Sequence, residues 1–132
     1  MKEVTDQLKL EVWNKGQIDP AYQESQVRKD ACGAWMLYDE YGNRESPFGW
    51  EIDHIYPESK LKGKKVPQDL IDNIDNLRPL NWSNNDSKSE DYPVYRAKVK
   101  ADGDHNVNSE RDLSVNNKVQ TIINELFKDY NL

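Results

Sequence analysis

The chain has 132 residues, 36% of them hydrophobic and 32% charged, with a net charge of −6. The length sets the expectation of one domain with room for appended helices, and four Trp, seven Tyr and two Phe supply enough bulky core material to argue against global disorder. The negative balance excludes a broadly basic nucleic-acid coat but leaves room for a local basic strip, and the single cysteine, Cys32, excludes both an intrachain disulfide and a Cys-rich zinc site. No signal-peptide pattern is present and no apolar run is long enough to span a bilayer, so the expectation is a cytoplasmic protein with no membrane partner.

Taken in order, residues 2–15 read as a helix. Val4, Leu8 and Val12 recur at every fourth position with Trp13 beside them, and Gly16 is a plausible stop. Asp19-Pro20 starts a loop. Cys32 reads as a small buried residue, because no histidine lies near it to activate a thiol. Residues 34–38 are apolar and aromatic, which suits a strand, and residues 48–53 read as the next strand, expected antiparallel to the first.

A long connection, 57–75, follows. Residues 54–65 carry Lys60, Lys62, Lys64 and Lys65 against the single acid Glu58, a net +3 inside an acidic protein. Two readings stay open for it, a solvated loop or a loop that contacts phosphates. Residues 76–80 read as a short strand running into the polar segment Asn81–Lys88. Asn and Ser compete with the backbone for hydrogen bonds, so a helix there needs tertiary contacts or a ligand to hold it.

Tyr92-Pro93 breaks the chain, residues 94–99 suit a short strand, and Asp102–Glu110 reads as a loop. The alternating acids and amides of that loop resemble a calcium-binding pattern. However, Val107 stands where the turn glycine belongs and Leu113 where the bidentate glutamate belongs, so calcium is set aside. His105 is expected to be merely exposed there. The last element is a helix over about 115–130, its core-facing stripe made of Val119, Ile122, Ile123, Leu126, Phe127 and Tyr130.

The chemistry concentrates between Phe48 and Glu90. Hydrolysis of a phosphodiester needs a base to take a proton from water and a cation to neutralise charge developing on the phosphate. Histidine is the usual base near neutral pH, and hard oxygen ligands suit Mg²⁺ or Mn²⁺. The sequence offers Asp53-His54 at a strand end, then Asn76 and Asn85. Successive strand residues point to opposite faces, so Asp53 and His54 serve one phosphate only if the pleat ends there. On a helix starting near Asn81, positions 81, 85 and 88 share a face, with Trp82 turned toward the core.

These residues resemble the HNH endonuclease family. Asp53-His54 followed by Pro57, then Asn76-Leu77-Arg78-Pro79-Leu80, then Asn85 and Lys88, follow its order. The resemblance implies an α+β fold: a ββα-metal core with an upstream strand and helices at both ends, one domain over residues 1–132. It also implies His54 as general base, Asn76 orienting it and its loop, and Asp53 and Asn85 holding one Mg²⁺ or Mn²⁺. The implied activity is endonucleolytic hydrolysis of DNA, leaving 5′-phosphate and 3′-hydroxyl ends. Lys60, Lys62, Lys64, Lys65, Arg78 and Lys88 are expected at backbone phosphates, with low sequence specificity unless a protein partner supplies it.

Many members carry paired cysteines for a structural zinc. Here Asn81 and Asn84 occupy that region, so no structural zinc is expected and packing of Trp35, Trp50 and Trp82 is expected in its place. No further cofactor is implied. Two rival readings are a nucleic-acid-binding module without turnover and a protein-interaction domain built on the C-terminal helix.

Overall fold

Burying Leu8, Val12 and Trp13 together fixes the first helix, α1 (Asp6–Trp13), in the computed structural model, which describes residues 1–132. The helix is shorter than the apolar period suggests because Thr5 caps it, its side chain accepting from the Leu8 N–H. Two short strands follow, β1 (Val27–Lys29) and β2 (Trp35–Leu37), paired antiparallel with Val27 opposite Leu37.

The expected partner of β2 is corrected here. The strand β3 (Trp50–His54) pairs antiparallel with β4 (Leu77–Asn81), setting Trp50 against Asn81, Asp53 against Arg78 and His54 against Leu77. The segment before β3 meets β2 through one backbone hydrogen bond, from the Leu37 N–H to the Phe48 carbonyl at 3.1 Å, and Trp50 packs with Met36 in a shared core. Gly49 permits the close entry to β3, since a Cβ there would lie 1.9 Å from the Asn43 carbonyl oxygen.

The connection from β3 to β4 is not bare loop. It folds into two short helices, α2 (Glu58–Gly63) and α3 (Gln68–Ile71), each opened by a proline, Pro57 and Pro67. Leu61, Val66 and Ile71 anchor them in the core. Helix α4 (Trp82–Lys88) follows β4 directly and packs against both β3 and β4. Its weak helix formers are held by tertiary contacts and by the Asn81 cap, whose side chain accepts from the Ser83 N–H.

The loop expected at 102–110 is half of a long hairpin. β5 (Val94–Asp102) and β6 (His105–Ser114) pair antiparallel through a two-residue turn, Gly103-Asp104, with Gly103 at φ +63°. Of the alternating acids and amides on β6, Asn108 and Glu110 face solvent, while Asn106 is half-buried and hydrogen-bonds the Trp35 backbone. The chain ends in α5 (Asn117–Leu126) and a short 3₁₀ turn at Lys128–Tyr130.

The result is an α+β protein with three separate two-stranded sheets. The larger core joins Ile55, Leu61, Ile71 and Leu80 to Tyr95, Ala97, Ile123 and Phe127, so α5 buries much of its stripe as expected. The smaller core groups Leu8, Val12, Trp13, Met36, Trp50 and Leu77 under α1. Between them, these cores clamp the β3–β4 pair from both sides. No helix is long and apolar enough to cross a membrane.

Candidate active site

Strand β3 continues through His54, so Asp53 and His54 point to opposite sides of it. His54 turns toward α3. Its Nε2 lies 2.7 Å from Asp72 Oδ1, with the imidazole 13% exposed and the Asp72 side chain fully buried. Asp72 Oδ2 accepts from Gln68 Nε2 at 2.9 Å and from the Lys2 N–H at 2.8 Å. Burial alone raises the Asp72 carboxyl, but the hydrogen bonds from His54, Gln68 and Lys2 outweigh it and hold the group below its ordinary value. The same Gln68 amide donates to Glu58 Oε2 at 2.7 Å. His54, Glu58 and Asp72 thereby bring ligand atoms within 4.8 Å of one another, a donor set able to hold a metal ion.

Asn76 is fully buried and clamps the loop beyond the histidine. Its Oδ1 accepts from the Tyr56 N–H at 2.8 Å, while its Nδ2 donates to the carbonyls of Tyr56 at 3.2 Å and Ile71 at 3.0 Å. It positions the His54 loop, and the imidazole itself is held by Asp72. Asp72 and Glu58 are the residues that sequence reasoning missed. No local signal marked them: of the apolar residues Leu70, Ile71 and Ile74 around Asp72, only Ile71 is fully buried, while Ile74 is exposed.

On the other side of β3, Asp53 is 5% exposed and doubly paired. Arg78 Nε donates to its Oδ2 at 2.9 Å, and Lys88 Nζ sits 3.2 Å from its Oδ1. Lys88 Nζ also donates to the His54 carbonyl at 3.2 Å. Burial lowers the Lys88 ammonium, and Asp53 pulls it back only in part. Asn85 donates to Glu51 Oε1 at 2.9 Å, and Glu51 also receives Arg44 Nε at 2.8 Å. Asn85 and Lys88 thus do share the face of α4 that meets β3, but each engages a different acid. Arg78 and Lys88, expected at phosphates, lie inside the protein as counterions of Asp53. By contrast Lys60, Lys62, Lys64 and Lys65 are all exposed, on and just after α2. Lys62 stands 3.7 Å from Glu58, and Lys64 donates to the Asn131 carbonyl at 2.8 Å.

The zinc-site positions carry a hydrogen-bond network rather than the expected tryptophan cluster. The fully buried Asp30 accepts through Oδ1 from the Cys32 and Ala34 N–H groups, each at 2.9 Å. Its Oδ2 accepts from the Asn81 N–H at 2.9 Å and from Asn84 Nδ2 at 3.0 Å. Asn84 Oδ1 in turn accepts from the Lys98 and Val99 N–H groups at 2.8 and 2.9 Å. The network ties the turn after β1 to α4 and to β5, three elements that a zinc ion would otherwise have to gather.

The tryptophans go separate ways: Trp50 into the smaller core, Trp35 against the hairpin tip through the Gly103 carbonyl at 2.8 Å, and Trp82 onto the Ser46 carbonyl at 2.7 Å. Cys32 is buried as expected, its thiol pushed up to about 12 by burial and by Asp30, which leaves no thiolate for chemistry. His105 is exposed beside Asp104 at 3.3 Å.

A family model described as GmrSD restriction endonucleases, C-terminal domain, matches residues 5–129. No curated protein and no solved structure matches the chain.

Proposed function

The chain belongs to the family of GmrSD restriction endonuclease C-terminal domains, a nuclease-related family, and on that premise we propose that it hydrolyses DNA by HNH-type chemistry centred on His54. The observation that carries the reading is the His54–Asp72 contact at 2.7 Å, made from a strand end that is partly open to solvent. A buried carboxylate on one ring nitrogen fixes the imidazole's orientation and stabilises the imidazolium that forms when the ring takes a proton from water. The water oxygen bonds to phosphorus as its proton passes to His54, the P–O bond to the 3′ oxygen breaks, and that oxygen takes a proton from solvent, leaving a 5′-phosphate and a 3′-hydroxyl. Asn76 holds Tyr56 so that the chain leaves the strand directly after the base. The exposed lysines of α2 supply the positive surface for the duplex. The β3–β4–α4 succession supports a ββα-type core.

The resemblance also carries one divalent cation, Mg²⁺ or Mn²⁺. Asp53 and Asn85 do not fit that ion as they stand, because Asp53 is neutralised by two cations and Asn85 is committed to Glu51. No step is assigned to the ion. His54, Glu58 and Asp72 bring three ligand atoms together, and an ion held there would compete with the His54–Asp72 contact that the base uses.

That engagement of Asp53 favours a second reading, a DNA-binding module on the same fold without turnover. A plasmid-nicking assay with and without Mg²⁺ or Mn²⁺ separates the two. Nicking that His54→Ala abolishes supports the nuclease, and retained DNA binding without nicking supports the module.

A further inference from the structure

A cavity of about 470 Å³ opens between the turn after α1 (Lys15–Gln17), β4 and the start of α5, lined by neither His54 nor Asp72. Its size falls in the range of small-ligand sites. Ile55, Val115, Val119 and Ile122 give it an apolar wall. Two cations, Lys15 and Arg78, line it as well.

Arg78 is the unusual member. It is 8% exposed, its Nε is used by Asp53, and its guanidinium lies 5.0 Å over the Tyr95 ring. Nη1 and Nη2 donate to nothing; Nη2 is sealed off, and Nη1 keeps the residual exposure with which the residue lines the cavity. A donor left unpaired on a buried cation is costly, and a partner is expected for it. Lys15 Nζ donates to the carbonyls of Ile74 at 2.7 Å and of Leu77. An ammonium has three N–H donors, so one remains. Asp75, exposed at the rim, is the one acid in the lining and works against an anion there.

We propose that this cavity binds a small organic phosphate monoester, its phosphate on Arg78 and Lys15 and its apolar or aromatic body against Val119 and Ile122. A phosphate monoester carries about −1.5 to −2 at neutral pH, which matches two cations with unspent donors, and guanidinium geometry suits its oxygens. Because the site uses neither His54 nor Asp72, it stands apart from the nuclease reading.

The test is an NMR titration of the ¹⁵N-labelled full chain with phenyl phosphate, with inorganic phosphate and a short DNA duplex as separate arms. Saturable shifts are expected at the Arg78 Nε–H and at the Val119 and Ile122 amides. Lys15→Gln should weaken binding about tenfold, as for a lost hydrogen bond to a charged group. Val119→Trp, which fills the cavity, should abolish it. Should Val119→Trp not fold, Ile122→Phe narrows the same wall from an exposed position. Shifts confined to the exposed lysines of α2, or shifts that neither cavity variant alters, overturn the proposal. Inorganic phosphate binding as tightly as phenyl phosphate overturns the organic part of it, and the duplex alone moving these resonances reassigns the site to the DNA backbone.

Discussion

Asp72 grips His54 across eighteen residues of chain, from a helix that the β3–β4 connection was not expected to contain. In the proposed mechanism the two residues act as one unit. His54→Ala should lower DNA cleavage by ~10²–10⁴-fold. Asp72→Asn should cause a loss of similar order, and the double variant little more than the larger single, because groups that act as a unit are not additive. Single-turnover cleavage rates of the three variants check this, and full additivity would dissolve the pair.

The depressed Asp72 carboxyl also ties stability to pH. A carboxyl whose folded value lies below its unfolded one stabilises the fold fully above the unfolded value, ~3.9 for Asp. That contribution is lost as pH falls through the lower folded value. Glu51 and Glu58 are depressed as well: burial raises each, but Arg44 and Asn85 on Glu51, and the N-terminal ammonium and Gln68 on Glu58, outweigh it. The contribution of these three carboxyls to the urea midpoint should therefore be steady above about pH 5 and fall below about pH 4, while the Asp30 carboxyl, raised by burial, works in the opposite sense. Asp72→Asn should show a shallower fall across that window, and an unchanged profile would contradict the assignment.

The Asp30–Asn84 network should carry stability rather than chemistry. Asn84→Ala removes one donor from Asp30 and the acceptor for two β5 amides, costing about 1–3 kcal/mol for each group left unpaired. Asp30→Asn puts an amide NH2 where one carboxylate oxygen accepted from two donors and should cost at least as much. Denaturant midpoints should drop with unchanged slopes, and zinc should rescue neither variant.

DNA affinity should depend on the α2 lysines. Replacing Lys62, Lys64 and Lys65 with Gln should weaken binding on unrelated duplexes alike. It should flatten log K against log salt by up to about three units, at ~0.9 per neutralised phosphate. Since all three are exposed, thermal stability should barely change. An unaltered salt slope would make the strip a solvated surface.

Manganese should report where a cation settles. Paramagnetic broadening is expected to centre on His54, Glu58 and Asp72, whose ligand atoms converge, and not on Asp53, which Arg78 and Lys88 already neutralise. Glu58→Gln should weaken the effect. Broadening centred on Asp53 and Asn85 instead would require Lys88 to leave its buried position.

What could be read beforehand followed from period and local order. The α5 stripe, the strand ending at His54 and the short strand after Asn76 all announce themselves within a few residues. The pairing of β3 with β4 did not, because nearest-neighbour strands are the default and 57–75 looked structureless without a long apolar period. β6 hid because both its faces are largely polar. Asp72, Glu58 and the Asp30 network are invisible for a different reason: each partnership joins residues far apart in sequence, and single acids carry no period of their own.

The Asp30 network also orders events during synthesis. Its carboxylate is not fully capped until Asn84 has formed, and Asn84 is not satisfied until Lys98 and Val99 have paired with it. A nascent chain halted before β5 therefore carries the histidine strand yet lacks the lock that seats α4 against it. The seating of α4 beside the histidine strand thus depends on β5, and a fragment ending before Val94 lacks it.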